Sequence, residues 1–298
     1  MLRGGLVDVT YTIENLSTSA TVDNISFTED FSVAMPGWIY AGLPLPGSGV
    51  CGMTGTMGGS GSVVSLILGS LAPGESCTLL FQLMLPANAP LGLVTSTSSA
   101  VTGTVFGNPI AGNTASDDLT VVWLGFTKAF VYSGSPVPGS DIGLMFSISN
   151  PDPLNAVTGI TFSDDLGAAV PGMFANGLPM SGVCGAGSQI AGSSVVTLSN
   201  GSIAAGGSCS FQISVHIPNS ISAGTYTNNT SPLTATPAGG LASSGDPADI
   251  ASASIALPSG VPAPIVAPNV IPTLDPRWLL AMMAMFALIA GFRIRQQG

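Results

Sequence analysis

The chain has 298 residues, of which 7% are charged and 46% are hydrophobic, and it contains 39 glycines and 23 prolines. Residues 1–270 carry two basic side chains against fourteen acidic ones, a formal charge of −12, which excludes nucleic acid as a partner. So many apolar residues and so few charges exclude intrinsic disorder and are typical of β-sheet proteins with glycine and proline in their turns.

The first predicted elements are strands. Apolar and polar side chains alternate in residues 6–15, so that Val7, Val9, Tyr11 and Ile13 share one face. This period of two predicts a strand that buries one face. Similar stretches follow between turn clusters, and none of them has the pattern of a long amphipathic helix. The arrangement favours an antiparallel β-sandwich.

The chain contains two copies of one pattern. The first-copy segments 6–15, 25–30, 63–66 and 77–86 align in order with the second-copy segments 141–150, 160–165, 195–198 and 209–218. We therefore predict two tandem domains, at 1–122 and 123–257.

The second copy begins with an additional strand at residues 124–130, which the first copy lacks. Met1 runs directly into a strand with no signal peptide before it. We therefore expect that a leader and a first strand belong upstream of Met1.

Each copy has one pair of cysteines. Cys51 and Cys77 lie 26 positions apart, Cys184 and Cys209 lie 25 apart, and the chain has four cysteines in total. One disulfide per domain is the prediction, worth about 3 kcal/mol each in the chain-entropy model. A zinc site or a redox dithiol would need closer spacing.

Residues with catalytic or ligand-binding chemistry are few. His216 is the only histidine and faces away from the core in the alternation, which predicts a surface residue and not a general base. The acidic pairs Glu29-Asp30 and Asp164-Asp165 recur in both copies. They are candidates for calcium ligands, or they are solvated acids that protect the sheet edge. In the second case Asp164→Asn changes stability by less than about 0.5 kcal/mol. We expect no catalytic centre and no cofactor.

The C-terminal part has a different composition. Residues 258–270 place four prolines among valine and alanine, which predicts a stiff linker. The stretch 278–292 has no charge and no proline and predicts a transmembrane helix of about 22 Å, short of the roughly 30 Å hydrocarbon core. By the positive-inside rule Arg293 and Arg295 stay cytoplasmic, so that the preceding residues lie outside the inner membrane.

The tail, residues 271–298, resembles the IPTL-type C-terminal sorting signal of Gram-negative bacteria, a relative of the PEP-type signals handled by exosortases. The residues that carry the resemblance are Ile271, Pro272, Thr273, Leu274, Trp278 and the basic end Arg293 and Arg295. The spacing before Trp278 is slightly loose, and Leu279 stands where glycine is common. The resemblance implies recognition by an exosortase-type sorting enzyme, cleavage at the box and transfer to the cell surface.

The duplicated domain resembles the tandem Ig-like repeats of unknown function in large bacterial surface proteins. The resemblance covers most of residues 4–257 and rests on the Thr-Lys-x-Phe strand at 127–130, strands that end in asparagine, and two cysteines per copy. It implies the Ig-like form of the sandwich and indicates no activity.

The complete prediction is an all-β chain of two tandem Ig-like antiparallel β-sandwich domains, a Pro-rich linker and a single C-terminal transmembrane helix. We expect a non-enzymatic exported protein of the cell surface or matrix, with spacer or adhesion modules. Its expected partners are the membrane, the sorting enzyme, and extracellular matrix or polysaccharide. The alternative is an extracellular polysaccharide- or calcium-binding module with a plain membrane tail anchor.

Overall fold

The computed structural model describes residues 1–41, 49–242, 246 and 248–258. The predicted sorting signal and transmembrane helix lie outside the described residues, as does the linker apart from Pro258. Among the helices that are described, none is long and apolar enough to cross a membrane. Residues 1–260 form one unit, which contains both repeats.

In its described residues the first repeat has ten strands and one short helix. They are β1 (Leu6–Glu14), β2 (Val22–Asp30), α1 (Phe31–Ala34), β3 (Ile39–Tyr40), β4 (Thr56–Ser60), β5 (Val63–Leu71), β6 (Ser76–Met84), β7 (Gly92–Thr97), β8 (Thr102–Val105), β9 (Asn108–Ala111) and β10 (Ser116–Val121). One sheet has the order β4-β5-β2-β8-β9, and opposite it lie the ladders β1-β6-β3 and β10-β7.

The second repeat has a similar order of elements, with some strands added. Its elements are β11 (Gly125–Val131), β12 (Asp141–Ser149), β13 (Val157–Asp165), α2 (Leu166–Ala169), β14 (Phe174–Asn176), β15 (Met180–Ser181), β16 (Gln189–Gly192), β17 (Val195–Ile203), β18 (Ser208–His216), β19 (Gly224–Asn229), β20 (Thr234–Pro237) and β21 (Ser252–Leu257). One sheet has the order β15-β16-β17-β13-β20, and opposite it lie β11-β12-β18-β14 and β19-β21.

Alternation in the strands builds both cores. In the β1–β6 ladder Tyr11 lies opposite Leu79, and in the β12–β18 ladder Phe146 lies opposite Phe211. The inward side chains of both sheets of a repeat meet in one cluster, for example Phe27 from β2 with Phe81 from β6. All strand pairs within the named ladders are antiparallel, so the predicted all-β fold with antiparallel sheets is confirmed.

The repeats differ at β11. This strand pairs with the edge of β12 and packs beside β21 in the second repeat. Within the described part of the chain, no strand pairs with the corresponding edge of β1. The inward residues of β12, such as Leu144 and Phe146, are therefore fully buried, whereas Val9 and Tyr11 of β1 are only half-buried.

Two residues before β1 connect the repeats. Leu2 is 1% exposed and belongs to the core of the second repeat, and its backbone N–H donates a hydrogen bond to Asp152 Oδ2 at 3.2 Å. Arg3 is also buried, and its Nη1 lies 3.0 Å from Asp249 Oδ2 and 3.3 Å from Asp246 Oδ2. The start of the first repeat is thus part of the folded structure of the second.

Candidate functional site

Three polar side chains meet inside the second repeat, and we call them the lysine centre: Lys128 on β11, Asp164 on β13 and Asn228 on β19. Lys128 Nζ donates to Asp164 Oδ1 at 3.2 Å and to Oδ2 at 3.1 Å. Asn228 Nδ2 donates to the same Oδ2 atom at 3.2 Å. The side chains of Lys128 and Asp164 are 0% exposed, and Asn228 is 1% exposed.

Strand alternation explains why these polar groups lie in the core. Lys128 occupies an inward position of β11, with Phe126 and Phe130 on the same face, and lies opposite Phe146 in the β11–β12 ladder. The rings of Phe126 and Phe146 pack against Phe162 with centroid distances of 4.7 and 5.0 Å. The lysine centre therefore lies among aromatic rings that exclude water.

Burial shifts the pKa values of the two ionisable groups in the lysine centre. Desolvation lowers the pKa of Lys128, and the carboxylate of Asp164 opposes this shift. Desolvation raises the pKa of Asp164, and Lys128 and the Asn228 amide oppose it. The lowered pKa of Lys128 and the raised pKa of Asp164 both favour the neutral forms. The free-energy difference between the ion pair and the neutral pair is therefore smaller in the core than in water.

One atom of the lysine centre is unsatisfied. Asn228 Oδ1 is buried and has no hydrogen-bond partner among the residues that the structure describes. A buried carbonyl oxygen without a donor loses its hydrogen bonds to water and gains none in return. This atom therefore needs an explanation beyond packing.

The first repeat has a carboxylate at the equivalent position with different partners, and we call this set the glutamate centre. Glu29 lies opposite Val64 in the β2–β5 ladder, as Asp164 lies opposite Val196 in the β13–β17 ladder. The hydroxyl groups of Tyr11 and Ser96 donate hydrogen bonds to the Glu29 carboxylate. Burial raises the pKa of Glu29, and the hydrogen bond from Ser96 opposes that shift.

A groove of about 400 Å³ lies beside the glutamate centre. Its walls are residues 7–12 of β1 and residues 116–119 of β10, and Phe31 and Trp38 also line it. In the second repeat β11 lies between the corresponding strands β12 and β21. The groove is thus the place that β11 fills in the other copy.

Both predicted disulfides are present. Cys51 is bonded to Cys77 and Cys184 to Cys209, with Cα–Cα distances of 5.2 and 5.4 Å. In each repeat the second cysteine lies on an equivalent strand, β6 or β18, and the bond fastens the segment before β4 or β16 to it.

The interpretation of the acidic pairs needs correction. Glu29 and Asp164 are not solvated, because they are 4% and 0% exposed, and the premise on which Asp164→Asn was expected to be neutral is therefore wrong. Consecutive strand residues face opposite ways, so each pair is split, and Asp30 and Asp165 are exposed. These two cap the N-termini of α1 and α2. In the described ranges no three His, Cys, Asp or Glu side chains are grouped to hold a metal ion.

His216 lies at the surface, as predicted. Its side chain is 24% exposed, and its Nδ1 lies 2.7 Å from Oδ1 of the exposed Asp141 on the neighbouring strand. The remaining predicted site residues lie outside the described residues; they are Ile271, Pro272, Thr273, Leu274, Trp278, Arg293 and Arg295.

Sequence reasoning did not find the lysine centre. A signal was present, because Lys128 stands between Phe126 and Phe130 at an inward position of an alternating strand, which predicts a buried acidic partner. Nothing comparable marks Asn228, which lies 64 positions from Asp164.

Comparison with known families identifies both repeats. A domain of unknown function, DUF7933, matches residues 1–121 and 125–254. The chain belongs to the DUF7933 family. The two matched segments of this DUF7933 protein are separated by residues 122–124, immediately before β11.

Other comparisons give weak similarities. No curated protein matches this DUF7933 chain. The full-length major pilin SpaD from Corynebacterium diphtheriae is 9% identical with a TM-score of 0.29, covering 79% of this chain and 60% of that chain. A tetra-tandem repeat in the extending region of a large adhesion protein is 12% identical with a TM-score of 0.21, covering 85% and 50%. Red sea bream transglutaminase is 13% identical with a TM-score of 0.27, covering 86% and 29%. The chain spans less than two thirds of each, and similarity at this level does not distinguish between functions.

Proposed function

We propose that this DUF7933 protein is a non-enzymatic exported module of the cell surface or extracellular matrix, in which two β-sandwiches act as spacer or adhesion domains. The observation that carries the proposal is the pair of disulfides at equivalent positions of the repeats. Disulfides form and persist in oxidising compartments, and they are rare in the cytosol. Their repetition in both copies favours a module built for an extracellular location.

The positions of the reactive side chains support a role without turnover of a substrate. Lys128, Asp164 and Asn228 are enclosed in the core, so a substrate in solution has no access to them. His216 is the only histidine of the chain, and it is held by the exposed Asp141 on an open strand surface. A general base needs a neighbouring group to act upon as well as a hydrogen-bonded orienting residue.

The contacts between the repeats support a spacer. Leu2 inserts into the core of the second repeat, and Arg3 forms ion pairs with Asp246 and Asp249 while it is buried. These contacts tie the first repeat to the second and limit hinge motion where one passes into the next. A chain of such domains transmits force and keeps its length, as a surface spacer requires.

We extend the proposal to the tail on its sequence alone. An exosortase-type sorting enzyme recognises residues 271–274 after export, while the apolar segment holds the chain in the inner membrane with its N-terminal region outside. Cleavage then frees the two domains for transfer to the cell surface, where extracellular matrix or polysaccharide is the partner. Basic residues behind a short apolar segment fit such a transient anchor.

The test is export of the full chain behind a signal peptide, in a Gram-negative host with and without the matching sorting enzyme. Mass spectrometry of surface-released protein is expected to find a C-terminus between Ile271 and Asp275 only when the enzyme is present. Replacement of Pro272 and Thr273 by alanine is expected to leave the longer form. A matched replacement of the basic pair, Arg293 and Arg295, should disturb orientation or retention while the box stays intact.

Two results would contradict the proposal. A C-terminus at Gly298 in the host that carries the enzyme would exclude sorting and leave a plain tail anchor. Free thiols at all four cysteines in exported protein would remove the support for an extracellular module, whatever the fate of the tail.

A further inference from the structure

We propose that Lys128 and Asn228 join through an intramolecular isopeptide bond between Lys128 Nζ and Asn228 Cγ, formed once in the folded chain with Asp164 as the proton-transfer group. The inference goes beyond the proposed surface role and is independent of the tail. It rests on the three side chains of the lysine centre and on their isolation from water.

The geometry brings an amine, a carboxyl group and a primary amide together. Lys128 Nζ and Asn228 Nδ2 both lie within hydrogen-bonding distance of the single atom Asp164 Oδ2, at 3.1 and 3.2 Å. The carboxyl group therefore stands beside both the nucleophile and the leaving group. Such placement of reactants replaces an encounter in solution by a step within one molecule.

The unpartnered atom fits this chemistry. Asn228 Oδ1 is buried without a donor among the described residues, although the amide sits beside a carboxyl group with a raised pKa. A protonated Asp164 can donate a hydrogen bond to an amide oxygen, and amide orientation in proteins is assigned from such partners. A hydrogen bond to the carbonyl oxygen polarises it and makes Cγ more electrophilic.

The reaction balances without any other reagent. A proton passes from the Lys128 ammonium to the Asp164 carboxylate, and this leaves a neutral amine. The Nζ lone pair attacks Asn228 Cγ and forms the new C–N bond. The protonated Asp164 then gives its proton to Nδ2, the Cγ–Nδ2 bond breaks and ammonia leaves, and Asp164 accepts the remaining excess proton from Nζ. An amine and a primary amide thus become a secondary amide and ammonia, with no change of oxidation state.

The surroundings favour this step over its competitors. Burial lowers the pKa of Lys128 and so increases the fraction of the nucleophilic neutral amine. The rings of Phe126, Phe146 and Phe162 exclude the water that would otherwise hydrolyse the activated amide.

The first repeat is an internal comparison. Its glutamate centre has Ser96 at the position of Asn228, and no lysine contributes to it among the described residues. A serine hydroxyl offers no amide carbon for attack. The bond is therefore assigned to the second repeat alone.

The bond would connect distant parts of the second repeat. Lys128 lies on β11, the first strand of the repeat, and Asn228 lies on β19, near its end. A covalent link between these strands closes residues 128–228 into a loop, with β20 and β21 outside it. Tension applied to the ends of the repeat would then pass through the link, and the hydrogen-bonded strands inside the loop would bear none of it.

The deciding measurement is the intact mass of the full chain after reduction of both disulfides. We expect a mass smaller than the sequence mass by one ammonia molecule. Chymotryptic digestion should then give a branched peptide that contains both Lys128 and Asn228. A mass equal to the sequence mass, or a mass lower by one ammonia molecule with Lys128 found in a linear peptide, overturns the proposal.

Variants separate the roles of the three residues. Asn228→Ala and Lys128→Met should show no loss of ammonia. Asn228→Asp should lose one water molecule instead, because a carboxyl group replaces the amide. The matched control is Asn229→Ala, the exposed neighbour on β19, which should lose ammonia as the wild type does.

Asp164→Ala keeps the amine and the amide and removes the proton-transfer group. It should retain the full sequence mass, and its folding is checked by the correct Cys184–Cys209 bond in a non-reducing digest. If Asp164→Ala folds and still loses ammonia, Asp164 has no part in the reaction. A wild-type protein of full sequence mass would overturn the bond itself and would leave the proposed surface function untouched.

Discussion

One buried carboxylate per repeat has different partners in the two copies. Asp164 faces the ammonium group of Lys128, whereas Glu29 receives hydrogen bonds from the hydroxyl groups of Tyr11 and Ser96. Hydroxyl donors stabilise a carboxylate without neutralising its charge, so the cost of burial is less fully offset at Glu29. At this position the carboxylate of the second repeat is paired with a cation, whereas the carboxylate of the first repeat has only hydroxyl donors.

Glu29→Gln is expected to stabilise the protein near neutral pH. Because burial raises the pKa of Glu29, the folded protein holds the proton more tightly than the unfolded chain does. Protonation of Glu29 therefore contributes to the free energy of unfolding at low pH, and this contribution is lost as the pH rises through the raised pKa. Glutamine keeps an oxygen acceptor for Tyr11 and Ser96 and never ionises. The variant should therefore exceed the wild type in free energy of unfolding at pH about 7 and match it at pH about 4.

Urea denaturation at the two pH values measures this difference. Glu14→Gln, at an exposed position of β1, is the control and should change little at either pH. A gain from Glu29→Gln that is the same at both pH values would show that the ionisation of Glu29 has no influence on stability.

The short helices of the two repeats depend on a capping carboxylate. Asp165 Oδ1 accepts a hydrogen bond from the backbone N–H of Ala168 at 2.8 Å at the N-terminus of α2. Asp165→Ala should lower the free energy of unfolding by about 1 kcal/mol, because an N–H group of the first turn loses its acceptor. Asp165→Asn keeps an acceptor and should cost less. Equal losses in the two variants, measured by urea denaturation, would contradict a capping role.

The disulfides fasten Cys51 and Cys184, which precede β4 and β16, to strands β6 and β18. Replacement of Cys184 and Cys209 by serine should lower the free energy of unfolding by about 3 kcal/mol, since the unfolded chain regains the freedom of a loop of this length. The same change at Cys51 and Cys77 should cost a similar amount, because the separations of 25 and 26 residues are nearly equal.

Peptide mapping without reduction checks the disulfide pairing, and urea denaturation of the serine variants checks the loss of stability. The wild type should yield the two intra-repeat pairs. A bond between a cysteine of one repeat and a cysteine of the other would contradict the structure of both domains.

The sequence predicted the strands well where period-two alternation was long. The segments at residues 6–15 and 141–150 became β1 and β12, and the duplicated register placed β6 and β18 correctly beside them. The one-turn helices α1 and α2 were not predicted, because four residues are too few to show a helical period. The inward half of each acidic pair was also mistaken for a solvated residue, although continuing the alternation of Ile25 and Phe27 places Glu29 on the inward face.

The lysine centre could not be predicted from the sequence. It joins β11, β13 and β19, and the last two are not neighbours in any described sheet. Asp164 pairs with Thr230, two residues beyond Asn228, through an isolated bridge just after the end of β19, and strand periodicity does not predict this pairing. Only the lysine gave a local signal.

The two repeats depend on each other through Leu2. Leu2→Ala should destabilise the second repeat by about 2–5 kcal/mol, because the substitution leaves a cavity in that core. Hydrogen exchange resolved by strand should become faster in the second repeat, although the substitution lies at the start of the first. Leu91→Ala, at a leucine that is 53% exposed, is the control and should change exchange little. Faster exchange confined to the first repeat would contradict the coupling.

No lysine or arginine side chain lies on the surface of the described residues. Arg3 and Lys128 are the only basic side chains in residues 1–270, and both are buried in ion pairs with aspartate. The exposed aspartate and glutamate side chains of this region are therefore not balanced by any exposed lysine or arginine. The molecule presents a surface of one sign that discourages association with other acidic surfaces.

Burial of both basic residues also determines which proteases can attack the protein. Trypsin requires lysine or arginine, and cleavage at Arg3 or Lys128 must wait for unfolding of the region that encloses each of them. Trypsin should therefore leave residues 4–270 intact for as long as the domains stay folded, whereas a protease specific for glutamate should cut at the exposed Glu14 or Glu75. Gel electrophoresis of the two digests over time distinguishes them, and rapid tryptic cleavage after Lys128 would contradict its burial. Enclosure of Arg3 and Lys128 in the fold would thus make the two domains resistant to trypsin without any inhibitor or covering chain.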